Sequence, residues 1–212
     1  MLRAKKHRHV NASLRPAKAK AKIRIAGRAT AQRLPEGACV TEAEHAPEEV
    51  LIDIAVEAGD WPDEAALIKL AQTAIAAGIK GADLEVLEET ELSLLFTNDE
   101  GIRKLNHQWR DKDKPTNVLS FPGSNPQDDV YGPLLGDIVF GYETVAKEAE
   151  ELGIEFNNHL THLTVHGLLH LFDYDHQEKD EAELMESLET AILVGLGIDD
   201  PYAGRPLEAD GD

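Results

Sequence analysis

A histidine-rich segment constrains the fold of this chain more than any other feature of its sequence. Five of the nine histidines lie within the 18 residues from His159 to His176, among several leucines. At about 100° per residue, a helix places four of these histidines within an arc of roughly 80°. They are His159, His162, His166 and His170. The leucines fall on other sides, so the pattern predicts a partly buried helix whose imidazole stripe faces a cavity.

The spacing of three of these histidines is typical of a metal site. His166 and His170 stand at i and i+4, so both rings can reach a single ion. A third ligand at His176 would point about 120° away on the same straight helix, so the chain must turn first. Asp173, Tyr174 and Asp175 suit such a turn, because Asp tolerates a left-handed φ. Three neutral imidazoles and one water form an open, catalytic type of zinc site, so we predict one Zn2+ per chain.

The same histidine spacing occurs in metzincin proteases, but one residue argues against that chemistry. Gly167 stands where those enzymes carry their glutamate general base. Without that carboxylate the standard metalloprotease mechanism has no base. His162 could be a fourth ligand, but we expect it to contact a ligand or line the cavity. His159 is expected at the surface.

Three segments of the sequence resemble one known family. The stretch from His166 to His176 resembles the motif H-G-x-L-H-L-x-G-Y-D-H of the YbeY endoribonucleases, which are bacterial rRNA maturation factors. Residues 109–122 resemble the family's R-x-x-D-x-P-T-D-V-L-S-F-P segment, and residues 135–138 its L-G-D-I strand. The resemblance covers roughly residues 50–198. Asp173 replaces the family's usual Gly and Asn117 replaces an Asp, but neither change removes a ligand.

The resemblance implies a fold and a set of site residues. It implies an α+β fold, with a small mixed four-stranded sheet packed by helices and a zincin-like metal cleft. His166, His170 and His176 correspond to the family's zinc ligands, and Arg110 to its functionally important arginine. A guanidinium can grip a phosphate bidentately and stabilise charge that develops in the transition state.

Other residues near these motifs have roles that the sequence leaves open. Lys112 and Lys114 would add phosphate contacts, although a plain exposed turn explains them equally well. A ligand imidazole or the reacting water could be oriented by Asp137, Asp173 or Asp175.

The order of predicted elements agrees with this fold class. Strands and helices alternate along the chain, which favours α/β or α+β architecture with a mixed sheet. Strands are predicted at 50–56, within 84–97, at 118–121 and at 134–140. Helices are predicted at 63–78, from 98 or 99 onward, and at 142–152, 158–172 and 178–194.

Charge divides the chain into unequal parts. Residues 1–33 hold 11 basic and no acidic residues, whereas residues 34–212 hold 10 basic and 40 acidic residues, a net of −30. We therefore predict a disordered basic arm over 1–47, a catalytic domain over 48–200 and a loose acidic tail over 201–212. The arm could bind RNA, act as a mitochondrial presequence, or reflect an upstream start codon. An acidic body repels nucleic acid at long range unless its site is locally basic.

Composition excludes several other classes of protein. The single cysteine, Cys39, forms neither an internal disulfide nor a multi-thiolate metal site. No apolar run reaches the roughly 18 residues of a membrane span, so no membrane partner is expected.

Together these features and the resemblance predict a zinc-dependent endoribonuclease specific for single strands. It would mature the 3′ end of small-subunit rRNA and serve ribosome quality control, with rRNA and the small ribosomal subunit as partners. It would be cytoplasmic, or organellar if the arm is a presequence, and its oligomeric state stays open. The alternatives are another zinc metallohydrolase, such as a peptidase, and a ribosome-assembly factor whose metal is structural.

Overall fold

Seven strands and five helices follow one another in the part of the chain that the structure describes. This computed structural model describes residues 21–24, 50–123, 130–174 and 179–203. The strands are β1 (Ala21–Arg24), β2 (Val50–Val56), β3 (Glu85–Val86), β4 (Thr90–Thr97), β5 (Val118–Pro122), β6 (Val130–Tyr131) and β7 (Leu134–Gly141). The helices are α1 (Glu64–Gly81), α2 (Asp99–Arg110), α3 (Tyr142–Leu152), α4 (Phe156–Leu171) and α5 (Lys179–Gly195).

The main sheet is mixed, with strand order β1-β2-β4-β7-β5. β2, β4 and β7 run parallel, whereas β5 pairs with β7 and β1 pairs with β2 in antiparallel fashion. The predicted α+β class and the mixed sheet β2-β4-β7-β5 are confirmed. β1 extends this sheet by one strand. The sequence did not predict β1, because this strand lies in the basic segment predicted to be disordered. β3 and β6 form a separate parallel pair.

Helices cover both faces of the sheet. α1 and α4 bury one face in the largest cluster of apolar side chains, to which β2, β4 and β7 contribute Ile52, Leu94 and Phe140. α2 covers the opposite face, where Ile102 and Leu105 meet Leu119 of β5 and Val139 of β7. α5 packs on the outer side of α1 and α4.

Helix α4 therefore lies in a middle layer, between the sheet and α5. Ten of its residues are buried, which explains a sequence that is apolar on more than one side. The histidine stripe and two buried threonines, Thr161 and Thr164, interrupt this apolar surface. None of the described helices combines the length and apolar composition needed to cross a membrane.

Candidate metal centre

The imidazole rings of His166 and His170 meet on α4. Their Nε2 atoms lie 3.1 Å apart. The Nδ1 atom of His166 lies 2.8 Å from a carboxylate oxygen of Glu189, and that of His170 lies 2.9 Å from the carbonyl oxygen of Tyr174. An ionised carboxylate and a carbonyl only accept hydrogen bonds, so both Nδ1 atoms carry hydrogen. In the neutral rings, both Nε2 lone pairs then face one another, and a cation between them satisfies both.

This geometry fits a zinc ion. Two imidazole nitrogens bound to one tetrahedral zinc at about 2.0–2.1 Å lie about 3.3 Å apart. The 3.1 Å between the two Nε2 atoms is close to that separation. The third predicted ligand, His176, lies outside the described residues, as does Asp175. Within the described residues, no group of three or more His, Cys, Asp or Glu side chains could hold a metal ion.

The chain turns sharply where α4 ends. Asp173 adopts φ of 63°, which confirms the left-handed turn predicted at this residue. The N–H of Tyr174 donates to the carbonyl of Leu169 at 3.2 Å, and the N–H of Asp173 donates to that of His170 at 3.3 Å. These two bonds define a Schellman motif, which satisfies the last carbonyls of a helix.

This turn also orients His170. It brings the carbonyl of Tyr174 onto Nδ1 of His170, 2.9 Å away. Within the described residues, the exposed Asp173 carboxylate makes no hydrogen bond. A main-chain carbonyl, rather than the Asp173 carboxylate, therefore orients this ring.

The carboxylate that orients His166 belongs to Glu189, which the sequence reasoning missed. Glu189 lies on α5 with its side chain fully buried. Burial by itself raises the pKa of Glu189, but hydrogen bonds from His162 and His166 outweigh it and hold the pKa well below its usual range. A sequence signal existed, because Glu189 stands four residues after Met185 and three before Ile192, on the buried stripe of α5. A carboxylate at a buried position of a helix is rarely found unless other side chains pair with it.

Two more histidines of the stripe have partners outside the pair. His162 does not join His166 and His170, since its Nε2 faces Glu189 at 2.8 Å. His159 was expected at the surface, which is wrong: it is only 4% exposed. α3 packs against this part of α4, and Glu148 of α3 lies 2.9 Å from Nε2 of His159.

Asn117 connects the start of β5 to this histidine–carboxylate contact. Its side-chain amide donates to Glu148 at 3.0 Å, while its side-chain oxygen accepts from the N–H of Val118 at 2.7 Å. Burial raises the pKa of Glu148, but hydrogen bonds with His159 and Asn117 outweigh it and lower the pKa. An aspartate at position 117 would place a second carboxylate against Glu148, so the amide suits this neighbour.

Close packing at Gly167 seats α4 on the sheet. A Cβ atom at this position would lie 2.9 Å from Cγ2 of Ile138 and 3.1 Å from Oγ of Ser120. Ser120 also donates a hydrogen bond from Oγ to the carbonyl of Gly167 at 2.9 Å. Position 167 therefore faces β5 and β7, and a glutamate there would have no room. A peptidase mechanism would therefore lack its glutamate base for two reasons: the residue is a glycine, and the packing leaves no room for a longer side chain.

Arg110 lies at the same end of the sheet as His170, but over the opposite face. It ends α2 directly after Trp109, whose ring packs on Phe121 with 6.0 Å between centroids. The carbonyl of Phe121 lies close to Gly136, and a Cβ on Gly136 would approach Leu171 of α4 at 3.1 Å. β5 is the last described strand of the sheet, so Arg110 and the histidine pair lie on either side of this edge strand.

Asp137 lies on β7, and the two lysines lie in the loop between α2 and β5. Ile138 faces α4, so strand alternation places Asp137 with Val139 on the face that α2 covers. Asp137 therefore lies on the opposite face of the sheet from α4, which carries His166 and His170, and any role toward His176 stays a prediction. Lys112 and Lys114 follow α2 in the loop to β5, where the carbonyl of Lys114 accepts a hydrogen bond from Asn106 at 2.8 Å. Their phosphate contacts stay predictions.

Comparisons with known proteins identify close relatives of this sequence. A family model described as Endoribonuclease YbeY matches residues 54–197. The chain is 50% identical over 166 residues to an Endoribonuclease YbeY of Sinorhizobium fredii, covering 73% of this chain and 93% of the relative. It is 52% identical over 165 residues to one of Agrobacterium fabrum, covering 73% of this chain and 95% of the relative. A solution structure from Thermotoga maritima is 24% identical, with a TM-score of 0.43 over 72% of this chain and 99% of its own.

Proposed function

The chain belongs to the YbeY endoribonuclease family, and on that premise we propose that it is a zinc-dependent enzyme that cleaves single-stranded rRNA. As a member of this family it acts on RNA phosphodiester bonds. The observation that carries the metal-dependent part is the contact between the Nε2 atoms of His166 and His170, 3.1 Å apart. Both rings are held at Nδ1 by acceptors, so both lone pairs point to one place.

Three residues would hold the metal, one ion per chain. His166 and His170 present their Nε2 lone pairs, and His176 is the proposed third ligand. When bound, zinc supplies a positive charge that polarises a phosphoryl oxygen and activates water. The contribution of the protein is to fix the rings before the ion arrives, through Glu189 on one ring and the Tyr174 carbonyl on the other.

Arg110 is proposed to hold the phosphate that is cleaved. Within the described residues its exposed guanidinium makes no ion pair, whereas Arg103 on the same helix is bound by Glu100 and Asp113. A guanidinium without an acidic partner remains available to a phosphate, for which it has the matching bidentate geometry. Because residues 34–212 carry a net charge of −30, RNA needs such a local cation to approach.

The proposal extends to the biological setting of the reaction. We expect the substrate to be the 3′ end of small-subunit rRNA, the partner to be the small ribosomal subunit, and the compartment to be the cytoplasm. The eleven basic residues of positions 1–33 would favour association with RNA through release of counterions.

Metal analysis combined with an RNA cleavage assay tests this function. The wild-type protein should contain about one zinc per chain and cleave a single-stranded RNA that carries the 3′ end of small-subunit rRNA. His170→Ala should lose zinc and cleavage together. Arg110→Ala should keep zinc but cleave about 100-fold more slowly, because it loses a charged donor to the phosphate. Arg103→Ala is the matched control and should keep both properties.

Two results would contradict these assignments. If His170→Ala retained stoichiometric zinc, this residue would not be a ligand. If Arg110→Ala cleaved RNA as fast as the wild type, Arg110 would not hold the phosphate, and if His170→Ala also lost its fold, the metal would be better explained as structural. Casein serves as the negative substrate, and its cleavage at the same site would favour the peptidase alternative.

A further inference from the structure

We propose that Tyr202 and Glu189 are positioning residues of the metal centre, so that the chain beyond α5 is part of the site. This inference rests on the proposed function, because it concerns how His166 is held for the metal. Tyr202 stands at the start of the segment predicted to be a loose tail over 201–212. Its hydroxyl instead donates a hydrogen bond to Glu189.

Glu189 accepts hydrogen bonds from three side chains, two on α4 and one beyond α5. One carboxylate oxygen accepts from Nδ1 of His166 at 2.8 Å. The other accepts from Nε2 of His162 at 2.8 Å and from the Tyr202 hydroxyl. The side chain of Glu189 is fully buried, and no lysine or arginine of the described residues contacts it. A buried carboxylate keeps its charge only where hydrogen bonds replace its hydration.

The segment that carries Tyr202 is tied to α5. The hydroxyl of Thr190 donates to the carboxylate of Asp200 at 3.0 Å, and the N–H of Tyr202 donates to the same oxygen at 2.9 Å. The phenol ring then packs edge-on against the ring of His162, with 5.6 Å between centroids. Tyr202 thus contacts the carboxylate oxygen of Glu189 that His166 does not.

This arrangement gives the carboxylate one orientation. Tyr202 and His162 occupy one oxygen of Glu189, which leaves the other directed at Nδ1 of His166. With the hydroxyl removed, that oxygen keeps a single donor, His162, and the orientation of the carboxylate is less firmly fixed. The hydrogen on Nδ1 of His166 is then less firmly fixed, and the Nε2 lone pair is less often aligned with that of His170. Groups that orient a ligand imidazole in this way typically change metal affinity by 10- to 100-fold.

Zinc affinity of hydroxyl- and charge-deletion variants tests the inference. We would measure competition for zinc against a chromophoric chelator for the full-length wild type, Tyr202→Phe, Glu189→Gln and the double variant. Tyr202→Phe should bind zinc about tenfold more weakly and Glu189→Gln about 10- to 100-fold more weakly. The double variant should bind no more weakly than Glu189→Gln, because the hydroxyl acts through that carboxylate.

Matched controls separate positioning from general damage to the fold. Tyr142→Phe deletes a hydroxyl that makes no hydrogen bond within the described residues, and Glu181→Gln neutralises an exposed carboxylate on α5. Both should bind zinc as the wild type does. In metal-free, 15N-labelled protein, the Nδ1–H signal of His166 should shift in Tyr202→Phe but not in Tyr142→Phe. Because Tyr202→Phe keeps the ring, it tests the inference even if Glu189→Gln does not fold.

The outcomes distinguish this inference from the proposed function. If the wild type binds zinc and Tyr202→Phe binds it within twofold of the wild type, the positioning role is wrong and the metal centre stands. If the double variant binds tenfold more weakly than Glu189→Gln, Tyr202 does not act through Glu189. A wild-type protein that binds no zinc overturns both the metal centre and its positioning residues.

Discussion

Replacement of Gly167 by alanine tests whether α4 is seated on the sheet as closely as the structure indicates. In most helices this change stabilises the protein by about 1 kcal/mol, because alanine favours helical backbone over glycine. Here the new methyl group would lie 2.9 Å from Cγ2 of Ile138 and 3.1 Å from Oγ of Ser120. Ile138 is a fully buried, β-branched residue of a central strand, so it cannot move aside freely.

The expected magnitude follows from three opposing contributions. Overpacking in a filled core costs about 1–3 kcal/mol. Displacement of Ser120 weakens its 2.9 Å hydrogen bond to the carbonyl of Gly167, a loss of about 1 kcal/mol. The gain in helix propensity offsets about 1 kcal/mol of this. Gly167→Ala should therefore lower the free energy of unfolding by about 1–3 kcal/mol. Each kcal/mol corresponds to a decrease of about 2–4 °C in Tm for a protein of this size.

The assay is reversible thermal or urea unfolding with a second glycine as control. Gly195 ends α5, and a Cβ there would have no neighbour within 4 Å. Gly195→Ala should leave stability unchanged or raise it slightly. If Gly167→Ala stabilised the protein as much as Gly195→Ala, the close contact between α4 and the sheet would be refuted, together with the steric argument against a glutamate base.

Two further predictions concern the turn after α4 and the carboxylate of α3. Asp173→Gly should keep zinc affinity and stability, since glycine adopts φ of 63° without strain. Asp173→Val should lower the free energy of unfolding, measured in urea, by about 1–2 kcal/mol. Loss of zinc by Asp173→Gly would instead give the carboxylate a role of its own. The lowered pKa of Glu148 stabilises the fold above the ordinary glutamate pKa of about 4.3, and this stabilisation disappears as the pH falls through the folded-state pKa. The free energy of unfolding in urea should therefore fall less steeply from pH 7 to pH 3 for Glu148→Gln than for the wild type. The exposed control Glu150→Gln should follow the wild type. If the free energy fell equally steeply in all three proteins, the contact of Glu148 with His159 would be contradicted.

Local periodicity was enough to predict the centre of the site. Helix geometry relates residues four positions apart, so the His166–His170 pair follows from the sequence alone. The turn at Asp173 was predictable for a similar reason, because a third ligand six residues on demands a change of chain direction. The mixed sheet and the α+β class followed from the order of strands and helices and from the family resemblance.

Tertiary packing decided which groups hold those histidines. Glu189 is 23 residues from His166 along the chain, and only the packing of α5 on α4 brings its carboxylate to the ring. The burial of His159 depends in the same way on α3, and the face on which Asp137 lies depends on the register of β7 with β5. The orienting group on His170 is a main-chain carbonyl, which every residue carries and no sequence pattern marks. Side-chain spacing specifies neighbours within one helix, whereas contacts between elements depend on how the whole chain buries its apolar surface.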